Sequence, residues 1–110
     1  MLAQYSGREA FVAKLATIAL DSQRETPAKL RTAAEQGDLK DIAFIAHSLK
    51  GVGGNLMAPA VQDLAARTEI AARQDDPSVA ELAAELATQV DDLLAELAAH
   101  VREGDGTGST

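Results

Sequence analysis

The chain has 110 residues, a formal net charge of −7, no cysteine, and only Tyr5, Phe11 and Phe44 as aromatic residues. That length suits one domain. The acidity disfavours nucleic acid and anionic membrane as partners, and the missing thiols exclude a disulfide framework and a thiolate metal site. No apolar run reaches membrane-spanning length and no signal peptide is evident, so no direct membrane contact is expected and a cytoplasmic location is.

Leu2 and Tyr5 suggest a short N-terminal helix or a packed arm. Ser6 and Glu9 have the spacing of a capping box ahead of Phe11, Leu15 and Ile18, which recur at helical intervals. Pro27 either kinks this helix or opens a new one, with Thr26 as N-cap and Pro27 at the first helical position. Leu30, Ala33 and Ala34 carry the apolar stripe on, and Gly37 closes it. Asp38 is expected to cap a helix from about Leu39 to Met57. Pro59 should open the next helix, with Val61, Leu64, Ala65 and Thr68 facing inward and Glu69 and Arg73 paired one turn apart. Gln74 to Ser78 reads as a loop, and Ser78 with Glu81 repeats the capping-box spacing. Val79, Leu82, Leu86, Val90, Leu93, Leu97 and Val101 form one sustained stripe, as a core helix of a bundle requires. His100 falls near the expected end of that helix and is assigned no function. Residues 104–110 read as a flexible polar tail, leaving 1–103 as the domain. No segment alternates like a strand, so the fold expected is all-α: an up-and-down antiparallel four-helix bundle with an optional short N-terminal helix.

The most informative stretch is Ala46-His47-Ser48-Leu49-Lys50-Gly51-Val52-Gly53-Gly54-Asn55-Leu56. On a helix, Ile45, Leu49, Val52 and Leu56 fall on one stripe, and His47 lies about 160° from Ile45 and Leu49, facing away from it. Lys50 and Gly51 stand one turn beyond His47, and Gly54 two turns. Three glycines cost a helix roughly 3 kcal/mol against alanine. Close helix packing would account for Gly53. At Gly51 and Gly54, on the histidine side, what glycine supplies is clearance for another protein. An exposed imidazole, a cation beside it and a bare approach surface suggest phosphoryl transfer through histidine, since imidazole can be a covalent nucleophile and a phosphoryl group needs cationic support.

These residues carry a resemblance. Ala-His-x-Leu-Lys-Gly followed by small residues and Asn-Leu resembles the signature of histidine phosphotransfer (HPt) domains, most clearly from Ala46 to about Glu69. Met57 and Thr68 stand where the family often has Gly and Leu. The resemblance implies a phosphorelay intermediate that accepts a phosphoryl group on His47 from a receiver-domain aspartate and passes it to another receiver. It implies Lys50 as charge partner of the phosphoryl group and Gly51 as the clearance residue, and it sets the Pro59 helix beside the histidine helix, where Glu69 or Arg73 could orient the imidazole or face the partner. Phe44, Gly51, Gly54 and Arg73 are the expected docking residues. The partners implied are response-regulator receiver domains and a hybrid sensor histidine kinase, in cis or in trans. No cofactor is expected in this chain, Mg²⁺ belongs to the receiver, and a monomer is expected.

Three other readings compete. The dimerisation and phosphoacceptor domain of a histidine kinase usually has an acidic residue after its histidine and a nearer proline, whereas Ser48 follows here and Pro59 is distant. A non-catalytic helical adaptor that only docks receiver or kinase domains would not need His47. A metal site lacks a second His, Cys or paired carboxylate one turn from His47.

Overall fold

The computed structural model describes Lys14 and residues 16–109, with side chains through Ala99. Leu2, Tyr5 and the Ser6–Glu9 capping box lie outside the described residues. The chain forms two units, one of residues 1–24 and 92–110, the other Glu25–Asp91. In the first, residues 16–23 are helical, and so are residues 92–109. The second holds the core and the histidine.

Four helices follow the turn at residues 24–25: α1 (Thr26–Gln36), α2 (Leu39–Asn55), α3 (Pro59–Arg73) and α4 (Val79–Ser109). Among the described residues no strand occurs, and the fold is an all-α helical bundle. Local chemistry sets most of the boundaries. Pro27 marks a restart rather than a kink, but Glu25 occupies the N-cap without a side-chain bond, and Thr26 is already helical. The expected threonine cap is therefore corrected: proline tolerates the second helical position as well as the first, because both amides are unpaired there anyway. Gly37 ends α1 with φ 64°. Its N–H donates to Ala34 O and the Asp38 N–H to Ala33 O, a Schellman closure. The Asp38 carboxylate accepts from the Asp41 N–H at 3.1 Å and so caps α2. Pro59 opens α3.

At α4 the capping box does not form as expected. The Ser78 hydroxyl donates to Asp76 Oδ1 at 2.7 Å and the Ser78 N–H donates to the same oxygen at 2.9 Å. Asp76 competes for the serine from two residues upstream, a local alternative to capping. α4 runs past His100 through residues 104–109, so His100 is not at its end and the expected polar tail is helical here.

Apolar burial holds the Glu25–Asp91 unit together. Leu30, Ile42, Leu49, Leu86 and Val90 are large, fully buried side chains of this unit, set among the small Ala33, Ala46, Ala65, Ala83 and Ala87. The buried stripe of α2 runs through Ile42, Ile45, Ala46, Leu49 and Gly53, while Val52 and Leu56 are only partly covered. The contact face is thus rotated from the expected stripe toward Ala46 and Gly53, where the absence of a side chain lets the α3 backbone lie against α2. A β-carbon on Gly53 would sit 2.7 Å from the Gln62 backbone nitrogen. Val61, Leu64, Ala65 and Thr68 face inward from α3 as expected, and the buried Thr68 hydroxyl donates to Leu64 O at 2.7 Å. Arg31 of α1 pairs with Asp91 of α4 at 2.7 Å.

Candidate functional site

The site arises from the antiparallel pairing of α2 and α3. The two helices are joined by Leu56, Met57 and Ala58. Met57 takes a left-handed φ of 55°, its N–H donates to Gly54 O, and the Ala58 N–H donates to Gly53 O at 2.8 Å. The chain reverses in three residues, which sets the middle of α3 beside the middle of α2.

His47 projects from α2 with 64% of its side chain exposed. Its Nδ1 lies 3.0 Å from Glu69 Oε2 on α3. Lys50 Nζ donates to the other oxygen, Oε1, at 3.3 Å. Arg73, one turn after Glu69, donates to Oε2 through Nε at 3.1 Å and Nη2 at 2.8 Å. Glu69 is therefore the hub: one nearly buried carboxylate, 7% exposed, joined to an imidazole, an ammonium and a guanidinium.

The hydrogen bonds from Arg73 contribute most to the acidity of Glu69. With those from Lys50 and His47 they outweigh the cost of burying the charge, and they pull its carboxyl from 4.5 to about 2. Glu69 is thus ionised at any physiological pH and can only accept hydrogen bonds. In a neutral imidazole the network therefore places the proton on Nδ1, which donates to Glu69, and the lone pair on Nε2. Nε2 meets no partner among the described residues.

Beside the imidazole lies an open depression of about 410 Å³ lined by Leu39, Lys40, Ala43, Phe44, His47, Ala72 and Arg73. Phe44 is 74% exposed, an uncovered aromatic at its rim. A β-carbon on Gly51 would meet nothing within 4 Å, so no packing in this chain requires glycine there. At Gly54 the β-carbon would lie 3.2 Å from Gln62 Nε2, so the expected clearance there is shared with a side chain of the same molecule. His47, Lys50 and Arg73 converge on Glu69, while Phe44, His47 and Arg73 line the depression. The sequence reading missed Lys40 and Gln62. Lys40 was within reach of it, since it precedes His47 by two helical turns and shares that face. Gln62 was not, because its place against Gly53 depends on the hairpin.

The Hpt-domain family model matches residues 14–100 of this chain. The chain belongs to the Hpt family. No curated protein and no solved structure matches it. Hpt domains carry out histidine phosphotransfer in two-component phosphorelays, working with receiver domains and kinases. The helical bundle and the histidine hairpin of this Hpt domain fit that role. Among the described residues no group of three or more His, Asp or Glu side chains is placed to hold a metal ion, and no helix is long and apolar enough to cross a membrane.

Proposed function

We propose that this Hpt domain relays phosphate through His47, from the aspartyl phosphate of one receiver domain to the aspartate of another. The observation that carries the reading is the Nδ1–Glu69 bond, because it selects the neutral tautomer whose Nε2 lone pair lies on the exposed side of the ring. In the forward step the Nε2 lone pair attacks phosphorus, the N–P bond forms, and the P–O bond to the receiver aspartate breaks, its electron pair leaving with the carboxylate. The ring gains positive charge without having to lose the Nδ1 proton, and ionised Glu69 offsets that charge. Lys50, 40% exposed at its side chain, is placed to turn from Glu69 toward an incoming phosphoryl oxygen. The receiver contributes Mg²⁺ and most of the remaining catalytic groups.

Docking takes place over Phe44, Gly51, Gly54 and Arg73. An exposed aromatic two turns before an open glycine on the same helix offers an apolar anchor and a surface that a second backbone can approach. In this reading the domain acts as a monomer in the cytoplasm, alone or joined to a hybrid sensor kinase.

The test is incubation of the chain with a panel of phosphorylated receivers, followed by detection of label on it. The parent chain should gain label from at least one receiver, and His47→Gln should gain none while keeping its helical CD signal and melting temperature. Label persisting on His47→Gln, for example at His100, overturns the assignment. Receivers that bind without transferring would instead make the domain a docking adaptor.

A further inference from the structure

The oxygen that holds the imidazole is also the one that Arg73 claims. Glu69 Oε2 takes His47 Nδ1 at 3.0 Å, Arg73 Nε at 3.1 Å and Arg73 Nη2 at 2.8 Å, whereas Oε1 takes Lys50 Nζ alone at 3.3 Å. A carboxylate oxygen offers about two lone-pair directions, so three donors on Oε2 must share them. The contest is unequal. A guanidinium is permanently charged, and its bonds to carboxylate are stronger than those from a neutral ring. Arg73 also stands one turn from Glu69 on the same helix, so its claim does not depend on how α2 and α3 pack.

We propose that Arg73 acts through Glu69 as an attenuator of His47. By engaging Oε2 twice, it limits the negative charge that the carboxylate sets behind Nδ1–H, and so lowers the electron density at Nε2. The inference rests on His47 being the phosphoacceptor. A relay must release the phosphoryl group as readily as it takes it. In the return step the Nε2–P bond breaks, its electron pair stays on Nε2, and a P–O bond forms to the next receiver carboxylate. A less basic Nε2 is the better leaving group in that step. With Glu69 undivided, the imidazole would be the stronger nucleophile and would hold phosphate longer. Arg73 is thus a positioning residue that sets the balance between the two half-reactions. Among the described residues, the charged groups around the imidazole are Lys40 and Lys50 from α2 and Glu69 and Arg73 from α3.

The test is a ¹⁵N NMR titration of the His47 ring in the whole chain, its signal assigned by its loss in His47→Gln. Parent, Arg73→Ala, Arg73→Lys, Glu69→Gln and the Glu69→Gln/Arg73→Ala double variant are compared, with CD to confirm folding. Arg73→Gln, which keeps the apolar stem, substitutes if alanine loosens the helix. Arg73→Ala should move the ring's titration midpoint upward, and Arg73→Lys should recover part of the difference. In the Glu69→Gln background the Arg73 effect should vanish, because nothing remains to transmit it. A midpoint unmoved by Arg73→Ala overturns the proposal. So does an equal shift in the Glu69→Gln background, which would mean that the guanidinium acts directly through space. A parent chain that takes no label at His47 while the titration cycle behaves as described would sink the phosphoacceptor reading and leave the Arg73–Glu69–His47 coupling standing.

Discussion

Three glycines close together on one helix should respond to alanine in three different ways, and the structure says which way each goes. At Gly51 the added methyl meets nothing within 4 Å, so only the helix-propensity gain of about 1 kcal/mol remains. For a domain of this size that raises the melting temperature by about 4 °C. At Gly53 the methyl would lie 2.7 Å from the Gln62 nitrogen and 3.0 Å from its Cα. Those atoms are backbone and cannot step aside unless α2 and α3 separate. Overpacking of this kind costs about 1–3 kcal/mol, more than the propensity gain, and it also disturbs the helix pairing that brings Glu69 to His47. Gly53→Ala should therefore melt several degrees lower. At Gly54 the obstacle is the end of the Gln62 side chain at 3.2 Å, which can rotate into solvent, so Gly54→Ala should change stability little. The larger Gly51→Gln should keep or raise the melting temperature, yet it would fill the space beside His47 over which the proposed docking takes place, so docking and transfer should weaken. Thermal melts by CD and transfer kinetics on the same preparations test the series. If Gly51→Ala melts lower than the parent, or Gly53→Ala melts higher, the geometric reasoning fails. If Gly51→Gln both melts and transfers normally, receivers do not approach over this surface.

Lys50→Ala should slow phosphotransfer several-fold at saturating receiver with little change in melting temperature, because the ammonium is half-exposed and, in the proposed relay, would support charge that develops during transfer; an unchanged rate would remove Lys50 from the mechanism. Glu69→Gln should flatten the acid limb of the stability curve. The folded carboxyl titrates at about 2 instead of 4.5, so its contribution is present above pH 4.5 and is lost as the pH falls toward 2. The shift corresponds to about 3 kcal/mol, which solvent and salt around the exposed Arg73 and His47 should reduce to about 1–2 kcal/mol. Urea unfolding at pH 7, 4.5 and 3 measures this, and parallel curves for the parent and Glu69→Gln would refute it.

Much of the fold is legible in the sequence because its boundaries rest on local chemistry. Gly37, Asp38 and Pro59 act on backbone groups within a few residues of themselves, and each does what its side chain, or the lack of one, dictates. The misreadings fall where two local devices compete. Ser78 could cap α4 or serve Asp76, and Thr26 could cap α1 or enter it behind Glu25. Capping-box spacing does not decide between such partners, since both are equally near in the chain. The rotation of the buried stripe on α2 has another origin. Hydropathy favours Val52 and Leu56 for the interior, but Gly53 lets the α3 backbone come closest, and closeness rather than hydropathy selects the face.

The site was legible on α2 and only half legible on α3, and the turn between them explains why. In an antiparallel hairpin, residues equally far from the reversal face one another. Gly53 lies four residues before Met57 and Gln62 five after it, and these two are in contact. His47 lies ten before and Glu69 twelve after, and these too are in contact. The meeting of His47 with Glu69 therefore follows from the length of the turn. That length could not be read from the residues, because the reversal uses Met57 at a positive φ, where glycine would have announced it. Met57 is 88% exposed, so its side chain loses no packing by adopting this conformation. What closes the turn is the backbone pair from Met57 and Ala58 to Gly54 and Gly53. Glycine at position 53 thus serves the site at a distance. It admits α3, the turn closes on its carbonyl, and the resulting register brings to the imidazole the carboxylate that frees Nε2.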